Sequence, residues 1–328
     1  MIKFEGKCGV SATVICDSIS EAGIRLLTFE ITYWRGILSE LNTHRMLSKN
    51  SASSRAIPFK KMQENLTGRP SRFGQANPGM QDKGEEFNTV VYGRSNGYES
   101  HKFTAKEAWA EARKDAVFWS NAFYEAGYHK QVYNRICEPH QMMKTVLSGT
   151  EMENLFWLRN DDAADPSIAA LTHCMKQAMD ASTPKLLLAG EYHLPYVEYE
   201  LLPQGGLSYY ITNDEGVDEF LSTEDAIKVS CARAASVSFR NSDYGLEKSK
   251  QVYERLIGDE RKHASALEHQ ASPMQARSVK DHVNMACYAE SWEDGVSHAD
   301  RNGQLWSGNF RGFVQYRKLI PGENKVGY

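Results

Sequence analysis

The sequence predicts an α+β fold, a mixed sheet flanked by helices, and three observations predict it. Two β-branched, alternating stretches open the chain, residues 10–16 (VSATVIC) and 27–34 (LTFEITYW). Helical stretches with capping residues come later, after Thr104, Asp165 and Ser222. Strand and helix patterns follow each other without regular βαβ alternation, which argues against a doubly wound parallel sheet.

The elements read in order as follows. From Arg35 the pattern turns helical, with Ile37, Leu38 and Leu41 on one apolar face, and Pro58 stops the run. Residues 61–103 are rich in Gly, Asn, Pro and charge and read as a long loop or insertion. Thr104 and Glu107 form a capping box for a helix that Gly127 closes, with Ala108, Trp109, Ala112, Ala116, Phe123 and Ala126 on its core face. Thr150 and Glu153 repeat the box ahead of residues 151–159, and Asp165-Pro166 opens another helix. Residues 196–220 read as a strand–turn–strand excursion around Gly205-Gly206. Ser222 caps the helix that follows, and Leu246–Ile257 is a further amphipathic helix. Residues 1–328 read as a single catalytic domain, and Trp109, Trp119, Trp157, Trp292 and Trp306 read as core.

Composition excludes several functions. A net charge of −4 argues against a partner that is a nucleic-acid polymer, yet leaves room for a small anion held by a few arginines. No apolar run approaches the roughly 20 residues of a membrane span, so no membrane partner is expected. The N-terminus, MIKFEGKCGV, lacks a signal-peptide layout, and the expectation is a cytoplasmic protein. The six cysteines show no C-x-x-C pair and no close His partner, so reduced thiols and no metal are expected.

Three stretches carry chemistry. The first, residues 43–56 (THRMLSKNSASSRA), places His44, Arg45, Ser48, Asn50, Ser53 and Arg55 in one register. Arginine forks and hydroxyls are the groups that hold phosphates. The second combines Arg135, four residues before Pro139, with the run Asn154-Leu-Phe-Trp-Leu-Arg159. The third is His263-Ala-Ser265-Ala-Leu-Glu268-His269.

Together these resemble the flavin-dependent thymidylate synthases. That family carries a signature close to R-H-R-x-x-S-x-N-x-x-S-x-R-Y, a conserved Arg ahead of a proline, an N-F-L-x-L-R run and an H-x-S-P-F-E-H motif. The last normally precedes the R-H-R segment, whereas here it follows by over two hundred residues. The chain thus resembles a circularly permuted member of the family, with residues 222–328 as the permuted segment carrying the second flavin motif.

The resemblance implies the family's fold in permuted order and a set of roles. His44, Arg45, Asn50, His263, Ser265, Glu268 and His269 would face FAD. Ser53, Arg55, Arg135 and Glu40 would hold the nucleotide. Asn154 would lie beside the base, and Arg159 would polarise the pyrimidine carbonyl as charge develops there. The implied reaction is conversion of dUMP to dTMP, with methylenetetrahydrofolate as carbon donor and NADPH as reductant, in a homotetramer. Thr43 replaces the first Arg of the signature, Ala56 its Tyr, and Glu40 a frequent Gln. These departures open an alternative, hydroxymethylation of dUMP or dCMP. A reading of another class is an inactive nucleotide-binding or assembly protein.

Overall fold

The computed structural model describes residues 2–81, 84–95, 99–213, 215–238, 245–260, 262–275 and 292–323, and Cys287 lies outside them. Three antiparallel strands begin the chain, β1 (Ile2–Glu5), β2 (Ser11–Ser20) and β3 (Arg25–Trp34). A 3-10 turn at Arg35–Ile37 leads into α1 (Leu38–Asn42), and then comes β4 (Ser48–Ser51). The helical run expected to reach Pro58 therefore ends at Asn42. Residues 48–51 extend because their backbone pairs with residues 145–148, a tertiary demand that local propensity does not carry. Within and beside the 61–103 stretch, α2 (Phe59–Glu64) and a hairpin of β5 (Val91–Ser95) and β6 (Glu99–Phe103) are ordered elements.

Helix α3 (Ala105–Glu125) starts on the expected capping box, with Glu107 N donating to Thr104 Oγ1 and Thr104 N donating to Glu107 Oε2. Its expected core face is only partly covered, since Ala112 and Ala126 are exposed; Trp119, expected in the core, is exposed too, and Ser120 is the one fully buried residue of the helix. Next come α4 (Lys130–Ile136), β7 (Met142–Gly149) and α5 (Glu153–Arg159). The second capping box does not form, because the Thr150 hydroxyl accepts instead from the Arg311 N–H at 3.0 Å. Helix α6 (Pro166–Ala181) does start on Asp165, whose carboxylate accepts from Ser167 N and Ile168 N, and β8 (Lys185–Leu187) follows it.

The excursion at 196–220 is three-stranded, β9 (Glu198–Leu201), β10 (Leu207–Thr212) and β11 (Asp218–Leu221), turning at Gly205 and Gly206. Those glycines hold φ of +91° and +89°, which side chains with a Cβ rarely adopt. Helix α7 (Thr223–Ala235), capped by Ser222, packs against α8 (Leu246–Ile257). The chain ends in β12 (Ala271–Pro273), β13 (His298–Ala299), β14 (Leu305–Ser307), β15 (Phe310–Arg311) and β16 (Phe313–Gln315). Among the described residues no helix is long and apolar enough to cross a membrane.

The main sheet runs β1-β2-β3-β7-β4, with β8 parallel to the end of β2. Its two faces have different chemistry, and strand alternation explains why. Phe29, Ile31 and Tyr33 face α6 and pack with Ile168, Leu171, Met175 and Ala178. Thr28 and Glu30 point the other way, toward the C-terminal half. Strand β2 begins with Ala12 and Val14 paired opposite Ile31 and Phe29, on the α6 side. A bulge at Ile15 then shifts the register, so that Cys16 and Ser18 lie opposite Thr28 and Leu26. One inserted residue turns Ser18 to the C-terminal face.

That face carries a buried polar line. His193 Nδ1 lies 2.8 Å from Ser18 Oγ, and its Nε2 lies 2.7 Å from Thr28 Oγ1. Thr28 meets Ser148 at 2.6 Å, and Ser148 meets His269 Nδ1 at 2.8 Å. Ser48, paired with Ser148 across the ladder, is held by Asn309 Oδ1 and Gln315 Nε2. Both imidazoles are fully desolvated, which pushes their pKa values down to about 3 and keeps them neutral.

Two outcomes follow. Thr28→Val keeps the shape but leaves Ser148 and His193 each short of a partner, so unfolding free energy drops by about 2–4 kcal/mol in urea titration. In the unfolded chain both histidines titrate near 6.5, so the unfolded state binds more protons at any pH from about 6.5 down to about 3. Stability is therefore full above pH 6.5 and is lost as pH falls toward the folded values. Each histidine costs about 2 kcal/mol by pH 5. Thermal melts across pH 7 to 4.5 check this, and the double variant with both histidines replaced by Gln flattens the profile.

Candidate functional site

The first motif stretch folds as a turn, a strand and a loop. Thr43 ends α1 by donating its hydroxyl to Glu40 O at 2.6 Å, while the Glu40 carboxylate, half-buried, accepts from Ser39 Oγ. His44 is buried, and Arg45 is exposed on the turn that follows. Leu47 closes the turn by seating over Gly149, where a Cβ would lie 2.5 Å from the leucine Cδ2. Strand β4 then runs along β7, and residues 53–57 leave it as a loop.

Arg159, 115 residues further on, reaches back to this turn. Its Nε–H donates to His44 Nε2 at 3.1 Å, and its Nη2 donates to Thr43 Oγ1 at 3.2 Å. A guanidinium only donates, so His44 Nε2 is an acceptor and the ring proton sits on Nδ1. Burial, then the charges of Arg159 and Lys49, hold the His44 pKa below its ordinary value. The result is a neutral imidazole beside a fixed cation.

A second group forms at the other end of β4. Asn134 Nδ2 donates to Ser54 O at 2.8 Å and Ile57 O at 3.0 Å, pinning the 53–57 loop to α4. Ser54 Oγ donates to Glu138 Oε1 at 2.5 Å, and Arg35 pairs with the same oxygen at 3.0 Å. Ser53, Arg55 and Arg135, the neighbours of these anchors, are exposed. The framework of Arg35, Glu138, Ser54 and Asn134 was not singled out from the sequence. Ser54, Asn134 and Glu138 adjoin motif residues in the sequence, and Arg35 has no such signal.

The third stretch packs on β4. Ala264–Glu268 is a 3-10 turn in which His263 and Ser265 are exposed. Glu268 pairs with Arg317, and its carbonyl accepts from Gln315 Nε2 at 2.9 Å. Two of the expected cofactor contacts are engaged inside the fold. Asn50 Nδ2 donates to Ala234 O at 2.6 Å, and His269 lies in the buried polar line with no exposed surface. Their side chains hold the framework.

Asn154 and Trp157 are exposed on α5, and Trp157, at 77% exposure, is not the core residue expected. Leu158, its chain neighbour, and Met46, on the turn after Arg45, are exposed as well. A cleft of about 770 Å³ opens next to the end of α5, lined by Asn160, Asp161 and Asp162. Another of about 400 Å³ borders the second group at Ala52 and Ile57. Neither is lined by His44, Arg45, Arg55, Arg135 or Arg159. Among the described residues no group of His, Cys, Asp or Glu is arranged to hold a metal ion.

The fold and site thus define a mixed α+β protein with two groups of cationic and hydroxyl side chains flanking one short strand. No family model matches the chain, and no curated protein matches it. Among the solved structures that resemble it in part are two of thymidylate synthase ThyX from Helicobacter pylori with FAD and dUMP. They are 17% and 20% identical, each aligned over 47% of this chain and 67% of that one, with a TM-score of 0.31.

Replacing Arg159 by Gln removes a positive neighbour, so the pKa of His44 rises. Carbon–proton NMR of labelled histidine, titrated from pH 5 to 8, measures this directly.

Proposed function

We propose that the chain is a flavin-dependent enzyme acting on a pyrimidine deoxynucleotide, converting dUMP to dTMP with methylenetetrahydrofolate and NADPH. The observation that carries this reading is the contact of Arg159 with His44 and Thr43. It joins the two motif stretches that the sequence links to one chemistry. The anchoring of Ser54 by Asn134, which puts Arg55 and Arg135 on neighbouring elements, supports a phosphate site at the second group.

The residues present suit FAD in part. Arg45, His263 and Ser265 are accessible, and the neutral His44 carries a proton on Nδ1 for an acceptor. FAD, when bound, supplies the hydride chemistry, and the protein supplies binding, orientation and charge. In this reading Ser53, Arg55 and Arg135 bind the nucleotide phosphate, with Glu40 at the margin of the site. Asn154 orients the base, and Arg159 stabilises charge on the pyrimidine carbonyl. We further read residues 222–328 as a permuted segment of one catalytic domain, a reading that the packing of Ala264–Glu268 on β4 supports. The exposed Met46, Trp157 and Leu158 beside the site support completion of the site by further copies, as a homotetramer.

One observation favours hydroxymethylation instead. Thr43 accepts from Arg159 where the family has a second guanidinium, so the site carries one cation fewer near the base. A single assay separates these readings. FAD-loaded protein is incubated with dUMP or dCMP, methylenetetrahydrofolate and NADPH, and products are identified by mass. We expect dTMP. Hydroxymethylated nucleotide would establish the second reading, and nucleotide binding without flavin oxidation or product would overturn both. Arg55→Gln or Arg135→Gln is expected to weaken dUMP binding about tenfold or more by calorimetry, through loss of a charged hydrogen bond to phosphate.

A further inference from the structure

We infer that Lys49 is a positioning residue for the candidate site, an amine that clamps the turn presenting His44 and Arg45. That this turn meets a ligand rests on the reading above, but the clamp itself is an observation of geometry. Lys49 sits on β4, at a position the family signature leaves unspecified. Its Nζ donates to His44 O at 2.5 Å and to Leu47 O at 2.9 Å, the carbonyls at the two ends of the turn. Those carbonyls have the amine as a shared donor, so one side chain sets the spacing of the whole turn. Leu47 N donates to His44 O only at 3.4 Å, a long bond that closes the turn weakly on its own.

The surroundings explain why a lysine serves here. Ser48 and Asn50, on either side, are tied to the C-terminal half through Gln315 and Ala234. The strand beneath the amine is therefore fastened on both sides of Lys49. Glu268, from the turn at Ala264–Glu268, provides a nearby negative charge and is itself paired with Arg317. The Lys49 charge acts on the His44 ring, which also carries the contact with Arg159. Lys49 thus belongs to the first motif stretch and carries an electrostatic link to Glu268 of the third.

Burial lowers the Lys49 pKa to about 8, with Glu268 opposing the shift. An amine released by opening of the turn regains its ordinary value near 10.5, so the open state binds more protons between pH 8 and 10.5. Raising pH through 8 therefore favours the closed turn, in which a neutral amine still has donors for both carbonyls. His44, held below its ordinary value by burial and by the charges of Arg159 and Lys49, is already neutral over this range.

The test is limited digestion with an arginine-specific protease. Cleavage of the bond after the exposed Arg45 is followed by mass spectrometry and normalised to a short peptide carrying the same bond. At pH 7, Lys49→Met is expected to raise the rate about tenfold or more, the population change that loss of a charged hydrogen bond produces. Wild-type protection is expected to increase about tenfold from pH 7 to 9, by the linkage above. Lys49→Arg stays protected at pH 7 and shows no change with pH. Equal cleavage of Lys49→Met and wild type at pH 7, or a pH response shared by wild type and Lys49→Arg, overturns the clamp. The readout needs no ligand. Intact clamping together with no dUMP binding would sink the proposed function and leave this inference standing.

Discussion

A line of hydroxyls buried beneath two neutral imidazoles organises the C-terminal face of the main sheet. Ser18, Thr28, Ser148 and Ser48 stand on four strands, β2, β3, β7 and β4, and all point to the same side. A bare hydroxyl line would cost several kcal/mol to bury, and alone it would leave this face in water. His193, His269, Asn309 and Gln315 satisfy it, and all four come from the second half of the chain. The sheet is therefore complete only when the C-terminal half has docked. Apolar contacts of Leu26 and Ile24 with Phe310 and Phe313 add the non-directional part of the same interface.

The candidate site depends on that docking. Strand β4 is a four-residue edge strand, too short to hold a functional turn by its ladder alone. Its Ser48 and Asn50 are fastened by Gln315 and by Ala234 O, and Lys49 between them braces the turn of His44 and Arg45. His269 and Asn50 are legible as motif residues yet work as scaffolding. The candidate groups left accessible include Arg45, Ser53, Arg55, Arg135, Asn154, His263 and Ser265. The polar residues of the motif stretches thus divide into those left accessible and those engaged inside the fold.

Local rules were read well where the deciding partner lies within a few residues. The caps at Thr104, Asp165 and Ser222 formed because a side chain and an N–H two or three positions on are adjacent in any helix start. The box at Thr150 failed because Arg311 offered its N–H to the same hydroxyl, a competitor 161 residues away that no local pattern shows. Trp157 departs from its expected burial for a related reason: helical spacing names a face, and only packing says whether that face is covered. The 48–51 strand was hidden likewise, since its conformation comes from pairing with β7.

The sequence by itself determined the mixed fold class, most helix starts, and the three stretches rich in phosphate-suited side chains. These are properties of residue type and near-neighbour spacing, which the chain carries in any conformation. The tertiary structure alone decided which of those side chains meet. It set Arg159 on His44, turned Ser18 over by a bulge at Ile15, buried His269, and placed Lys49 under the motif's turn. Each of these rests on a contact between distant segments or on strand register, and register is fixed by how two halves of a chain pack rather than by either half.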